Sequence, residues 1–209
     1  MSLLALDATL GVCSAAVMRD GAVLAERRPA PGPAALLPAL VRDLLAEAGI
    51  APAALEAVAA TVGPGSFTGL RATLALAEGL ACGAGAARIA VTTGEALAEA
   101  TGALSGRTLW IAIDARQQNR LYLHAAGVWQ AIGFADLPRP AGPVALAGDA
   151  APHAAAWLAA RGADVMLTGA RQPCAADVAR AALRRFGGDL PPLAFRPLYV
   201  VTPNVRLPA

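Results

Sequence analysis

Nine consecutive residues, Gly63-Pro64-Gly65-Ser66-Phe67-Thr68-Gly69-Leu70-Arg71, hold three glycines, two hydroxyls and an arginine. An apolar run, Leu55 to Val62, precedes them, and an Ala/Leu-rich run, Ala72 to Ala84, follows. That order reads as a strand, a tight turn and a helix. The first N–H groups of a helix lack intrahelical partners, and the aligned peptide dipoles make the same spot attractive to anions. Gly63 and Gly65 permit positive φ and close backbone approach, and Ser66 or Thr68 supplies a cap. A cation in the first turn opposes the dipole, so Arg71 is expected to serve a partner. A plain strand-to-helix connection fits the same string. Two known phosphate loops do not. The P-loop needs a lysine, and the chain contains none. The glycines are spaced GxGxxxG, not GxGxxG, and Cys82 to Arg88 lacks the carboxylate of a dinucleotide site.

Asp7 and Asp114 each end an apolar strand, in Leu4-Ala5-Leu6-Asp7-Ala8 and Ile111-Ala112-Ile113-Asp114-Ala115. Asp7 and Thr9 can close their turn through side-chain-to-backbone bonds, which is the reading favoured for Asp7. Asp114 and Arg116 can form a local ion pair or contact a ligand, and both readings stay open. His124 and His153 stand alone in different contexts, so no metal site is expected. No GxSxG elbow surrounds Ser66, and no nucleophile triad can be assembled. Cys13, Cys82 and Cys174 lack CxxC spacing and read as small buried hydrophobes.

The elements that position these residues form a weak internal repeat. After Asp7 come strands from Ser14 to Met18 and, past an Asp20-Gly21 hairpin turn, from Ala22 to Arg28. After Asp114 come strands from Arg120 to Ala126 and from Val128 to Ile132, with Gln117-Gln118-Asn119 as a turn. Leu36, Leu37, Leu40, Val41, Leu44 and Leu45 make the apolar stripe of a first helix, which Gly49 can end. A second helix is expected from Phe67 to Ala84. Thr92-Thr93-Gly94-Glu95 has capping-box spacing for a third, to Ala100. Further helices are expected near His153 to Arg161 and Ala175 to Phe186. Gly102 to Gly106 marks a boundary, giving lobes of 1–103 and 104–209.

Composition limits the function classes. A chain of 209 residues has ample material for a core. Its mean hydropathy of +0.52 is inflated by alanine, and no eighteen-residue apolar run escapes Gly, Pro or charge, so no membrane helix is expected. The start is a poor signal peptide, since it lacks a basic segment and Asp7 interrupts its short apolar run. A cytoplasmic location is expected. Net charge is +2 without basic blocks, and aromatics make up 4%. Neither a basic face nor a stacking platform for RNA is evident.

The string GPGSFTGLR closely resembles the signature of the TsaB (YeaZ) family of the tRNA threonylcarbamoyladenosine pathway. The strand at Leu3 to Thr9 with Cys13 to Val17, the segment Trp110 to Arg116 with its Ile-Asp-Ala-Arg, and Pro197-Leu198-Tyr199-Val200 resemble other parts of the same family. The resemblance runs along nearly the whole chain. It implies an actin/hexokinase/Hsp70-like (ASKHA) α/β fold of two duplicated ribonuclease H-like lobes. Two departures stand out. Ala30-Pro31-Gly32-Pro33-Ala34-Ala35 replaces the family's polar His-Ser-Glu-like approach to the first helix, and Val201-Thr202-Pro203-Asn204 replaces its terminal arginine-asparagine pattern.

The resemblance further implies a non-catalytic subunit that binds and activates a TsaD-like catalytic chain. With a TsaE-like ATPase, that chain transfers threonylcarbamoyl to the tRNA adenosine next to the anticodon. The implied interface uses Leu36, Leu37, Leu40, Val41 and Leu44 of the first helix and Leu70 and Leu74 of the second; the same surface could form a homodimer. Gly63, Gly65, Ser66, Thr68, Gly69 and Arg71 would form an anion or partner loop. Asp7, Thr9, Asp114 and Arg116 would lie near nucleotide. No intrinsic cofactor is expected; ATP or ADP would sit at the interface with the partner, and tRNA would be reached only through the complex. The TsaD-like relatives hold iron or zinc on an HxxxH pair, which this chain lacks, so a metallopeptidase is disfavoured. The alternative is an ATP-dependent phosphotransferase or nucleotide hydrolase of the same fold, using Asp7, Thr9, Asp114 and the Gly-rich turn.

Overall fold

The computed structural model describes residues 1–31, 34–116 and 119–201, the side chains of 29–31 excepted. Gly32-Pro33, Gln117-Gln118 and Thr202 to Asn204 therefore lie outside the described residues, as do the side chains of Ala30 and Pro31.

Strand β1 (Ser2–Asp7) pairs antiparallel with β2 (Val12–Arg19), which pairs antiparallel with β3 (Ala22–Pro31). On its other side β1 pairs in parallel with β4 (Ala57–Gly63), and β4 with β5 (Ala87–Thr92). The sheet order is β3-β2-β1-β4-β5. The second half repeats it. Strands β6 (Thr108–Asp114), β7 (Arg120–Ala125) and β8 (Val128–Gly133) pair antiparallel, and β9 (Val144–Ala147) and β10 (Val165–Leu167) add in parallel to β6. The order β10-β9-β6-β7-β8 matches the first sheet strand for strand. Even the tight turns agree. Asp20-Gly21 and Ala126-Gly127 all have positive φ, the backbone of a type I′ hairpin. This duplication is the ASKHA architecture.

Side chains on β1 alternate between two cores, as a strand's period of two requires. Leu4 and Leu6 meet Leu44 and Leu74, carried by α1 (Leu37–Glu47) and α2 (Phe67–Ala84). Leu3 and Ala5 meet Val178, Ala179 and Ala182 on α5 (Ala175–Phe186), with Ala96 of α3 (Thr93–Glu99) in the same cluster. The alanine face of α5 lets it lie close to the sheet. On the second sheet, Trp110 and Ala112 face α4 (Ala151–Ala159), while Ile111 and Ile113 meet Leu97 and Leu10 from the first half.

Local signals set the helix ends. Ser66 caps α2 by accepting from the Gly69 N–H, and Gly85 ends it at φ 65°. Thr92 and Glu95 form the capping box of α3. Pro38 is accommodated in the first turn of α1.

Candidate functional site

The loop after β1 is built around a buried carboxylate. Asp7 is fully buried. Its Oδ1 accepts hydrogen bonds from the Thr9 hydroxyl (2.7 Å), the Thr9 N–H (3.3 Å) and the Thr61 hydroxyl of β4 (2.6 Å). Among the described residues, Oδ2 has no partner. Burial pushes the Asp7 carboxyl up to about 6, against the downward pull of the threonine bonds. Asp7 thus closes its own turn, as its spacing from Thr9 suggests.

The Gly-rich segment packs directly on that turn. The Ser66 N–H donates to the Thr9 carbonyl at 2.7 Å. A Cβ on Gly65 would lie 2.7 Å from the Thr9 carbonyl oxygen, and one on Gly69 would overlap the Ala8 carbonyl oxygen. Gly63 has a φ of 108°. The Thr93 hydroxyl donates to the Pro64 carbonyl at 2.8 Å. The close approach that Gly65 and Gly69 allow is therefore taken up by the chain's own Ala8–Thr9 backbone. Thr68 is exposed on the outer side of this helix start. As described, the residues around Asp7 do not fit a nucleotide phosphate.

Arg71 is exposed and stacked. Its guanidinium lies 3.9 Å from the centre of the Phe67 ring, and its Nε donates to the Tyr199 hydroxyl at 3.4 Å. The two rings stack at 6.3 Å. The Leu198 N–H donates to the Val62 carbonyl at 2.7 Å, which ties the segment before Tyr199 to the end of β4. Sequence reasoning picked out both ends of this cluster but not their contact, because 128 residues separate Arg71 from Tyr199.

Asp114 occupies the position on β6 that Asp7 has on β1, yet its surroundings differ. Its Oδ1 accepts from the Arg116 N–H at 2.7 Å. Arg116, at φ 57°, reaches Asp149 at 3.0 Å and Asp114 at 3.7 Å. Asp149 Oδ1 also accepts from the Asp114 N–H at 2.9 Å, and burial raises the Asp149 carboxyl. The local ion pair is present and extends to Asp149, a residue that sequence reasoning missed. Its signal was the preceding Gly148, where a Cβ would overlap the Ala112 carbonyl oxygen of β6. Among the described residues, no three His, Cys, Asp or Glu side chains cluster as metal ligands.

The leucine stripe is divided differently from the expected interface. Leu37, Val41, Leu44, Leu70 and Leu74 are buried in the chain's own core. This corrects their assignment to a partner: α1 and α2 must cover one face of the first sheet, and these side chains do it. Leu36 is exposed, and Leu40 is partly buried against the core. What remains is an apolar groove of about 430 Å³ between the helices, lined by Pro38, Val41, Leu45, Ile50, Leu76 and Leu80 among others.

Comparisons with known proteins agree with this architecture. Residues 34–139 match the family described as TsaD, tRNA N6-adenosine threonylcarbamoyltransferase. The chain is 39% identical over 119 residues to the Escherichia coli tRNA threonylcarbamoyladenosine biosynthesis protein TsaB, covering 56% of this chain and 51% of that protein. The Haemophilus influenzae protein of the same name is 35% identical over 128 residues, covering 58% and 52%. The chain thus spans about half the length of the curated relatives it matches. A Pseudomonas aeruginosa crystal structure, described as similar to the peptidase YeaZ, superposes with a TM-score of 0.78 at 27% identity, covering 96% of this chain and 99% of that one.

Proposed function

The chain belongs to the tRNA N6-adenosine threonylcarbamoyltransferase family, in its TsaB (YeaZ) branch, and from that membership we propose that it is the non-catalytic subunit that binds and activates a TsaD-like catalytic chain. The reaction served is threonylcarbamoyl transfer to the tRNA adenosine next to the anticodon, in the cytoplasm. The observation that carries the reading is the apolar groove between α1 and α2. Each leucine-sized side chain that a partner buries there would contribute roughly 1.5–3 kcal/mol. A helix pair from the partner, laid across α1 and α2, would cover Leu36, Leu40, Leu76 and Leu80. The same groove would serve a homodimer when the partner is absent.

Because the chain's own backbone fills the Gly65–Gly69 approach, the nucleotide of the complex is assigned mainly to the partner. Arg71 and Tyr199 would lie on the surface facing it. A TsaE-like ATPase and the tRNA would be engaged by the assembled complex. The alternative, a phosphotransferase or nucleotide hydrolase, would have to draw on Asp7 and Asp114.

The test is reconstitution. The chain is mixed with a TsaD-like subunit and a TsaE-like ATPase, and modified tRNA is measured with and without it. Co-elution and strict dependence of modification on the chain are expected. Full modification without the chain would overturn the reading. Magnesium-dependent ATP turnover by the pure chain, lost in Asp7→Asn, would establish the alternative.

A further inference from the structure

Folding assembles an aromatic surface from two segments far apart in the chain. Among the described residues three Phe or Tyr side chains are left exposed, Phe67, Tyr199 and Phe186, and the first two meet. Their rings lie 6.3 Å apart and 25° from parallel. The Leu198 N–H bond to the Val62 carbonyl anchors the residue before Tyr199 on β4. The pair is therefore set before a ligand arrives, and holding it in place costs little on binding. Arg71 completes the surface. Its guanidinium lies over the Phe67 ring and its Nε donates to the Tyr199 hydroxyl. Among the described residues its two Nη groups have no partner. Residues 57–77 and 190–201, the two stretches that build this surface, contain no Asp or Glu; their charged side chains are Arg71 and Arg196, both exposed.

Exposed flat rings and unpaired arginine nitrogens are the groups by which proteins hold an unpaired nucleotide. The base stacks on a ring, and the phosphate takes the guanidinium fork. A carboxylate on a protein partner would satisfy Arg71 but leave the ring faces uncovered. Stretches free of acidic residues also suit a phosphate backbone, which binds through positive charge. A stacking platform not evident in the residue order is thus present in the fold.

We propose that Phe67, Arg71 and Tyr199 hold an unpaired nucleotide of RNA directly, its base against the exposed rings and its phosphate on the Arg71 fork. This rests on the reading that the chain serves modification of a tRNA adenosine next to the anticodon, a position in an unpaired loop. The test is fluorescence anisotropy of a labelled anticodon stem–loop RNA titrated with the full chain at low salt, against a fully paired RNA of the same length. The stem–loop should bind about tenfold more tightly than the paired RNA. Phe67→Leu and Tyr199→Leu should each weaken stem–loop binding about tenfold, the scale of one lost base stack. Phe67→Tyr keeps a ring and should bind within about threefold of the wild type. Arg71→Gln should weaken binding and reduce its salt dependence by about one phosphate contact. The two leucine variants should keep the wild-type circular dichroism spectrum and co-elute with the TsaD-like subunit. Equal binding of looped and paired RNA, or wild-type affinity in both leucine variants, overturns the proposal. So does wild-type RNA binding combined with lost co-elution, which would give the surface to the protein partner. Stem–loop binding that Phe67→Leu weakens, by a chain that modification does not require, upholds the proposal and overturns the subunit role instead.

Discussion

Gly69 and Ala8 are in backbone contact: α2 begins so close to the turn after β1 that a Cβ on Gly69 would overlap the Ala8 carbonyl oxygen. The Gly-rich segment and the Asp7 turn are therefore packed as one unit. Its small residues are set by internal packing, and what it offers outward is Thr68, Phe67 and Arg71.

Gly69→Ala should lose stability by about 2 kcal/mol or more, because either α2 or the turn must shift. Gly79→Ala is the matched control, since a Cβ at Gly79 meets nothing within 4 Å. It should gain about 0.5–1 kcal/mol from helix propensity. Urea unfolding of both variants reads the difference, and similar midpoints for the two would refute the contact.

Asp7 should make stability fall as pH rises. Its carboxyl titrates near 6 in the fold, against an ordinary value of 3.8. The native state therefore binds the extra proton between these values. Asp7 imposes no charge cost below about pH 4, and by pH 7 its ionisation costs the fold about 3 kcal/mol. Asn at this position keeps an oxygen for Thr9 and Thr61 and removes the charge. The stability difference between Asp7→Asn and wild type should grow in the variant's favour from pH 4 to pH 7, and a difference independent of pH would refute the assignment.

Leu44→Glu should unfold the protein, because Leu44 is wholly buried in the core beneath α1. Leu80→Glu places the charge at the groove instead. It should keep native circular dichroism and lose co-elution with the TsaD-like subunit, and with itself if a homodimer forms. Normal co-elution by Leu80→Glu would move the interface elsewhere.

Arg71→Ala should leave stability within about 1 kcal/mol, the scale of an exposed cation–π contact. Its effect should appear in assembly or in modification rate, with Arg71→Lys intermediate, since lysine lacks the planar fork of donors. A larger drop in melting temperature with unchanged assembly would mean that Arg71 only braces the Phe67–Tyr199 stack.

Some of this was legible from residue order. The bounds of α2 follow from Ser66 and the glycine after Ala84, and α5 from its pattern over Ala175 to Phe186. Strands β5, β9 and β10 carried no comparable signal. They are short parallel strands, with Ala-rich or mixed sequences that lack a clean alternation. The stripe on α1 showed which leucines share a side, but period alone cannot say whether the sheet or a partner covers them. The Arg116–Asp149 pair and the Phe67–Tyr199 stack depend on segments distant in sequence, so they emerge only once the chain is folded.

The return of α5 to the first sheet separates ancestry from autonomy. The two halves share one strand plan, as copies of a single unit would. Yet Val178, Ala179 and Ala182 complete the core over Leu3 and Ala5, while Arg184 and Arg185 clasp Glu99 and Glu95 of α3. A fragment ending at residue 103 would leave that face of its central strands bare. The second copy's last helix is spent on the first copy's sheet, so a cut between the copies leaves neither with its full set of elements.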